Sequence, residues 1–130
     1  MKIIKIRMFT SNTCFSDVPN FAFIVGSANS WTLKADIASL YFAKLLNYMR
    51  ANKVAKVVPR EDPRNPVNHK AFDAGLSSGY FARAKDILPK QGDKYPWMGG
   101  GNYILDLVSM SFRSFTQDSL EVTFIDKKDS

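Results

Sequence analysis

A chain of 130 residues has the length of one domain, enough to remove about two thirds of its unfolded surface from water. Lys and Arg number 18 against 12 Asp and Glu, a net charge of +6, but the bases are spread from Lys2 to Lys128 with no arginine-rich arm. That spread argues against a nucleic-acid reader and for an ordinary solvated surface.

The opening MKIIKIRMF carries charge but no uninterrupted apolar stretch, so no signal peptide is expected. The single cysteine, Cys14, admits no internal disulfide, agrees with a cytoplasmic setting and reads as structural. Residues 2–9 alternate weakly and are rich in Ile, which predicts a strand. SNTCFSDVPN reads as a loop turning at Pro19 and Asn20. FAFIV, residues 21–25, is a continuous apolar run ended by Gly26. It is far too short to span a bilayer and has the pattern of a strand buried inside a parallel sheet.

A helix is predicted over residues 31–52, where Ile37, Leu40, Tyr41, Leu45, Tyr48 and Met49 fall at steps of three and four. Leu33, Phe42 and Leu46 widen the stripe, and Lys34, Asp36, Lys44 and Arg50 are left for the wet face. VAKVV is a short strand stopped by Pro59. The three prolines of PREDPRNPVNHK make an extended surface connection. Residues 79–88 read as a short helix, and PKQGDKYPWMGGGN as irregular chain. A second main helix is predicted over residues 102–115, with Ile104, Leu107, Val108, Ser111 and Phe112 on its apolar side. LEVTFI is the final strand, and the tail DKKDS frays. The expected fold is therefore α/β or α+β, a small partial sheet with two main helices. Residues 1–130 form a single domain or a fragment: a strand–turn–helix part at 1–58, then a proline-rich connection and C-terminal helical segment at 59–130.

Strand, glycine turn and helix make half of a dinucleotide-binding layout. Asn29 or Ser30 can cap the helix, and its first turn then offers unpaired N–H groups and the positive dipole end. An electron-rich ligand atom can sit there. Gly26, Ser27 and Ala28 let a flat ligand approach the backbone, and Trp31 either walls that pocket or plugs the sheet edge. Other chemistry finds little footing. His69 lies in the proline-rich loop and reads as a surface residue; no Cys/His pair suits zinc. Ser77, Ser78, Ser109 and Ser111 sit in no nucleophile elbow, and Asp106 and Asp118 have no partner that would tune an acid–base pair. No catalytic residue and no metal ligand is assigned.

The blocks DVPNFAFIVGSANSWTLKADIASLYFAKLLNYM, SSGYFARAKDILPKQGDKYPW and NYILDL resemble, in order and spacing, the carboxyl-terminal part of flavin-dependent monooxygenases of the Baeyer–Villiger and ethionamide-activating type. The resemblance implies that residues 21–25 end an FAD-binding domain. It implies that Asn29, Ser30, Trp31 and Thr32 approach the pyrimidine edge of the flavin, with Lys34 beside them. Residues 90–97 would pack across the two nucleotide-binding domains. FAD and NADPH are the implied cofactors. Neither family G-x-G-x-x-G cradle is present, and the glycine triplet at residues 99–101 has neither the spacing nor a preceding strand. Tight FAD binding by this chain alone is therefore not expected. It would need an N-terminal FAD- and NADPH-binding polypeptide, or would self-associate. The alternative is a non-catalytic, stand-alone basic binding module.

Overall fold

The computed structural model describes residues 8–9, 13–24, 31–71, 79–84, 86–98, 103–115, 119–126 and 128. In chain order these form β1 (Met8–Phe9), β2 (Cys14–Phe15), α1 (Trp31–Ala51), β3 (Val54–Pro59), β4 (His69–Ala71), α2 (Gly79–Ala84), β5 (Lys90–Gly92), α3 (Tyr103–Phe112) and β6 (Leu120–Phe124). The strands pair two by two, all antiparallel: β1 with β2, β3 with β6, and β4 with β5. This is a mixed helix-and-strand fold with two main helices, as the sequence predicts.

α1 stops where its backbone turns left-handed. Asn52 N and Nδ2 both donate to Tyr48 O, at 3.0 and 2.9 Å, and Lys53 takes a φ of 53°. β3 leaves directly from that turn. One of its edges pairs with β6, from Val54 opposite Phe124 to Pro59 opposite Leu120, with a bulge between Val54 and Lys56. Its other edge is taken by a loop rather than a strand. Asp17 N donates to Pro59 O at 2.9 Å, Asn20 N to Val57 O at 3.0 Å and Asn20 Nδ2 to Ala55 O at 3.0 Å, while Val57 N donates to Asn20 Oδ1 at 3.0 Å. Both loop residues have positive φ, 61° at Asp17 and 52° at Asn20, a conformation their short polar side chains tolerate. Arg60 fastens the arrangement by reaching Asp17 Oδ1 at 2.9 Å and the Glu121 carboxylate on β6. Its guanidinium holds the Glu121 carboxyl below the usual carboxylate range.

The main core gathers Cys14, Leu45, Val54, Val57, Val67, Trp97 and Leu120. A smaller cluster of Ile37, Ala38, Tyr41 and Met110 joins α1 to α3. Phe115 bridges the two, its ring 5.5 Å from Tyr41 and 5.2 Å from Tyr48.

Several sequence expectations change. Residues 21–24 form no strand, and Phe21, Phe23 and Ile24 are 41, 40 and 47% exposed. Asp17 and Asn20 already fill the β3 edge beside which a parallel strand would lie; Phe21 and Phe23 stack instead on Phe15, at 5.4 and 5.5 Å. Position 25 lies outside the described residues, as do residues 2–7 of the predicted first strand. Cys14 and Phe15, expected in a loop, pair with β1, and the two irregular stretches contribute β4 and β5. The third correction concerns the helices. Ile104, Val108 and Phe112 of α3 face solvent, whereas Asp106 and Met110 face α1. On α1, Leu33, Leu40 and Leu46 are exposed and Lys34 is buried.

Candidate functional site: the head of helix α1

α1 begins at Trp31, and Thr32 in its first turn is exposed. Asn29 and Ser30, two of the four residues singled out from sequence, lie outside the described residues, as do Gly26, Ser27 and Ala28. The first turn carries no acidic side chain, so nothing within it neutralises the dipole end.

Lys34 follows immediately. A cation near a helix N-terminus opposes the dipole, and burying it adds a desolvation cost of several kcal/mol. Asp106 offsets both. Its Oδ2 lies 3.4 Å from Lys34 Nζ, with the two side chains only 6 and 8% exposed. Asp106 itself stands in the first turn of α3, where a carboxylate is favoured. Below the pair, Ile37, Ala38 and Tyr41 close on Met110. Lys44 then donates to Ser111 O at 3.2 Å, a cation at the carbonyl end of α3. Lys44 is exposed, as the wet-face reading expects, and from there it tethers the two helices. Neither half of the Lys34–Asp106 pair was recognised from sequence. The available signal was that Asp106 is the one charged residue in YILDLVSMSF.

The KQG…PW stretch forms a clasp within this chain. Gly92 N donates to Trp97 O at 2.6 Å, and Trp97 N to Lys94 O at 2.8 Å. Asn68 grips the same loop through Asp93 Oδ1 and Oδ2, at 3.1 and 2.9 Å. Trp97 is 2% exposed, in the main core. The peptide bond between Tyr95 and Pro96 is cis, and the Arg113 guanidinium lies 4.2 Å from the centre of the Tyr95 ring.

Reactive side chains are quiet. Burial pushes the Cys14 thiol up to about 11, against a weaker lowering by Thr13, which keeps it protonated at neutral pH. Ser109 Oγ donates to Asp106 O at 3.2 Å, a bond along its own helix. Among the described residues, no group of three or more His, Cys, Asp or Glu is gathered as metal ligands, and no helix is long and apolar enough to cross a membrane.

The chain is 41% identical over 116 residues to a probable FAD-binding monooxygenase, AlmA, of Acinetobacter sp, covering 88% of this chain and 23% of the relative. It is 44% identical over 105 residues to the FAD-containing monooxygenase EthA of Mycobacterium tuberculosis, covering 80% and 21%. The EthA of Mycolicibacterium smegmatis matches at 40% over 109 residues, covering 83% and 22%. The chain is related to the FAD-containing monooxygenases. It spans less than a quarter of the length of these curated relatives. No family model matches it. No solved structure matches it either.

At the head of α1, Thr32 is exposed. The glycines among the described residues form no phosphate cradle: Gly92 is sealed against Val67 and Trp97, and Gly79 opens α2. Three of the basic side chains are paired locally: Lys34 with Asp106, Arg60 with Asp17 and Glu121, and Arg64 with Asp62.

Proposed function

We propose that this chain is the carboxyl-terminal segment of a flavin- and NADPH-dependent monooxygenase, acting on ketones or heteroatoms, and that it is inactive by itself. The observation that carries the reading is its identity of about 40% to proteins named FAD-binding or FAD-containing monooxygenases, over most of its own length and under a quarter of theirs. Residues 1–58 are read as the end of the FAD-binding domain, and residues 59–130 as the connection and C-terminal helical part. The buried, protonated Cys14 is in keeping with a cytoplasmic setting.

In this reading Asn29 and Ser30 cap α1, while the backbone at Trp31 and Thr32 approaches the flavin edge. Bound FAD supplies electron transfer and oxygen activation. The chain's part is to aim N–H donors at the ring position where negative charge develops, the preorganised stabilisation on which such chemistry depends. The apolar side chains exposed on α1 and α3 would be covered by the polypeptide that carries the dinucleotide cradles.

A chimera tests this: the EthA of Mycolicibacterium smegmatis with its matching segment replaced by this chain. Trp31→Ala should raise the hydrogen peroxide released per NADPH consumed, and Asp36→Ala, an exposed position on the same helix, should not. Equal coupling in the two variants would count against a flavin at the head of α1.

A further inference from the structure

We infer that the buried Lys34–Asp106 pair is a positioning device that selects which face of α1 meets α3, and so fixes where the first turn of α1 points. Its consequence for a flavin rests on the reading just proposed.

The two helices leave apolar side chains outside their contact. α1 exposes Leu33 and Leu40, seven residues apart and so on one side of the helix; α3 exposes Ile104, Leu105, Val108 and Phe112 within about 100° of arc. Hydrophobic burial is non-directional. A roll of each helix about its axis would exchange Ile37, Ala38, Tyr41 and Met110 for these side chains at the contact and return Lys34 and Asp106 to water, so apolar contacts are available in either arrangement. The observed packing places the ion pair inside at 3.4 Å beside the small cluster of Ile37, Ala38, Tyr41 and Met110. Once buried, either charge loses heavily if its partner turns away, whereas an aliphatic contact can slide. Lys44 on Ser111 O holds the far end of the contact. The pair therefore specifies one register among packings that apolar contacts would otherwise permit.

The double variant Lys34→Met with Asp106→Leu removes both charges and keeps apolar volume, so the chain still folds. Methyl NOE spectra of the chain then read the register. The inference expects the Ile37–Met110 contact to be replaced by contacts from Leu33 or Leu40 to Ile104 or Val108. The reversed pair, Lys34→Asp with Asp106→Lys, should restore it. Persistence of the Ile37–Met110 contact in the apolar double variant overturns the inference.

The flavin consequence is read in the chimera as peroxide released per NADPH. The double variant should raise it several-fold, while Val57→Ala, a core change in β3 that lowers stability without touching the pair, should leave it unchanged. Thr32→Pro deletes one first-turn N–H at a place where helices tolerate proline, and separates the two ideas. If Thr32→Pro uncouples and the double variant does not, positioning is overturned and the flavin reading survives. If Thr32→Pro has no effect, the flavin reading fails, and with it the consequence drawn for the pair.

Discussion

At the scale of single residues, the largest effects belong to positions whose chemistry is ordinary and whose surroundings are not. A Cβ on Gly92 would clash with Val67 Cγ1 and stand 2.7 Å from Trp97 Cβ, in a clasp whose closing bond runs from Gly92 N to Trp97 O. Gly92→Ala should lose about 1–3 kcal/mol by overpacking, measured as a lower urea midpoint. Lys34→Met alone leaves Asp106 charged and buried, and should lose about 3–5 kcal/mol, while the double variant with Asp106→Leu should lie near the parent. Cys14 gives a pH signature. Its thiol is raised from 9.0 to about 11 in the fold, so the unfolded chain releases the proton first and stability falls as pH rises across that window. The loss approaches about 2–3 kcal/mol at the top of the window and should vanish in Cys14→Ala, both followed by denaturant titration at each pH. Below pH 9.0 the two proteins should show parallel profiles. The reading of Cys14 as structural fits its burial, since a lone thiol packs as a small hydrophobe. The Lys34–Asp106 pair was not legible, because 72 positions separate its members and each looks like a surface charge when read along its own helix.

At the scale of elements, sequence periodicity located α1, α3, β3 and β6 to within a few residues, since each is long enough to show its period. It failed on orientation. FAFIV reads as a central strand, but residues 21–24 lie in no strand, and Asp17 and Asn20 have taken the edge of β3. The apolar stripe of α3 was legible as a stripe, but its periodicity did not say which way it points: Ile104, Val108 and Phe112 face solvent, while Asp106 and Met110 are buried. Phe112 is 85% exposed, so Phe112→Ser should change stability by no more than about 0.5 kcal/mol while reducing dye binding and self-association. Sedimentation at several concentrations checks this; a parent chain that is strictly monomeric and binds no dye would contradict it. Lys53 supplies the opposite kind of test. Its φ of 53° strains a non-glycine residue at the end of α1, so Lys53→Gly should raise stability by up to about 1 kcal/mol in the same urea titration.

At the scale of the whole molecule, the account is of a chain that folds around its own core yet presents its apolar helix faces and the head of α1 outward. Its relatives carry more than three times as much additional chain, and their names specify FAD. In the proposed reading the head of α1 takes one edge of a flavin, while the glycines among the described residues form no cradle for the phosphates, which normally contribute much of dinucleotide affinity. The most direct test is stoichiometric FAD retention through gel filtration. It should be measured for this chain alone and for this chain mixed with the remaining part of the Mycolicibacterium smegmatis relative. The account predicts colourless protein in the first case and a yellow complex eluting as one species in the second. A yellow, stoichiometric complex formed by this chain alone, or no flavin retained by the mixture, would contradict it.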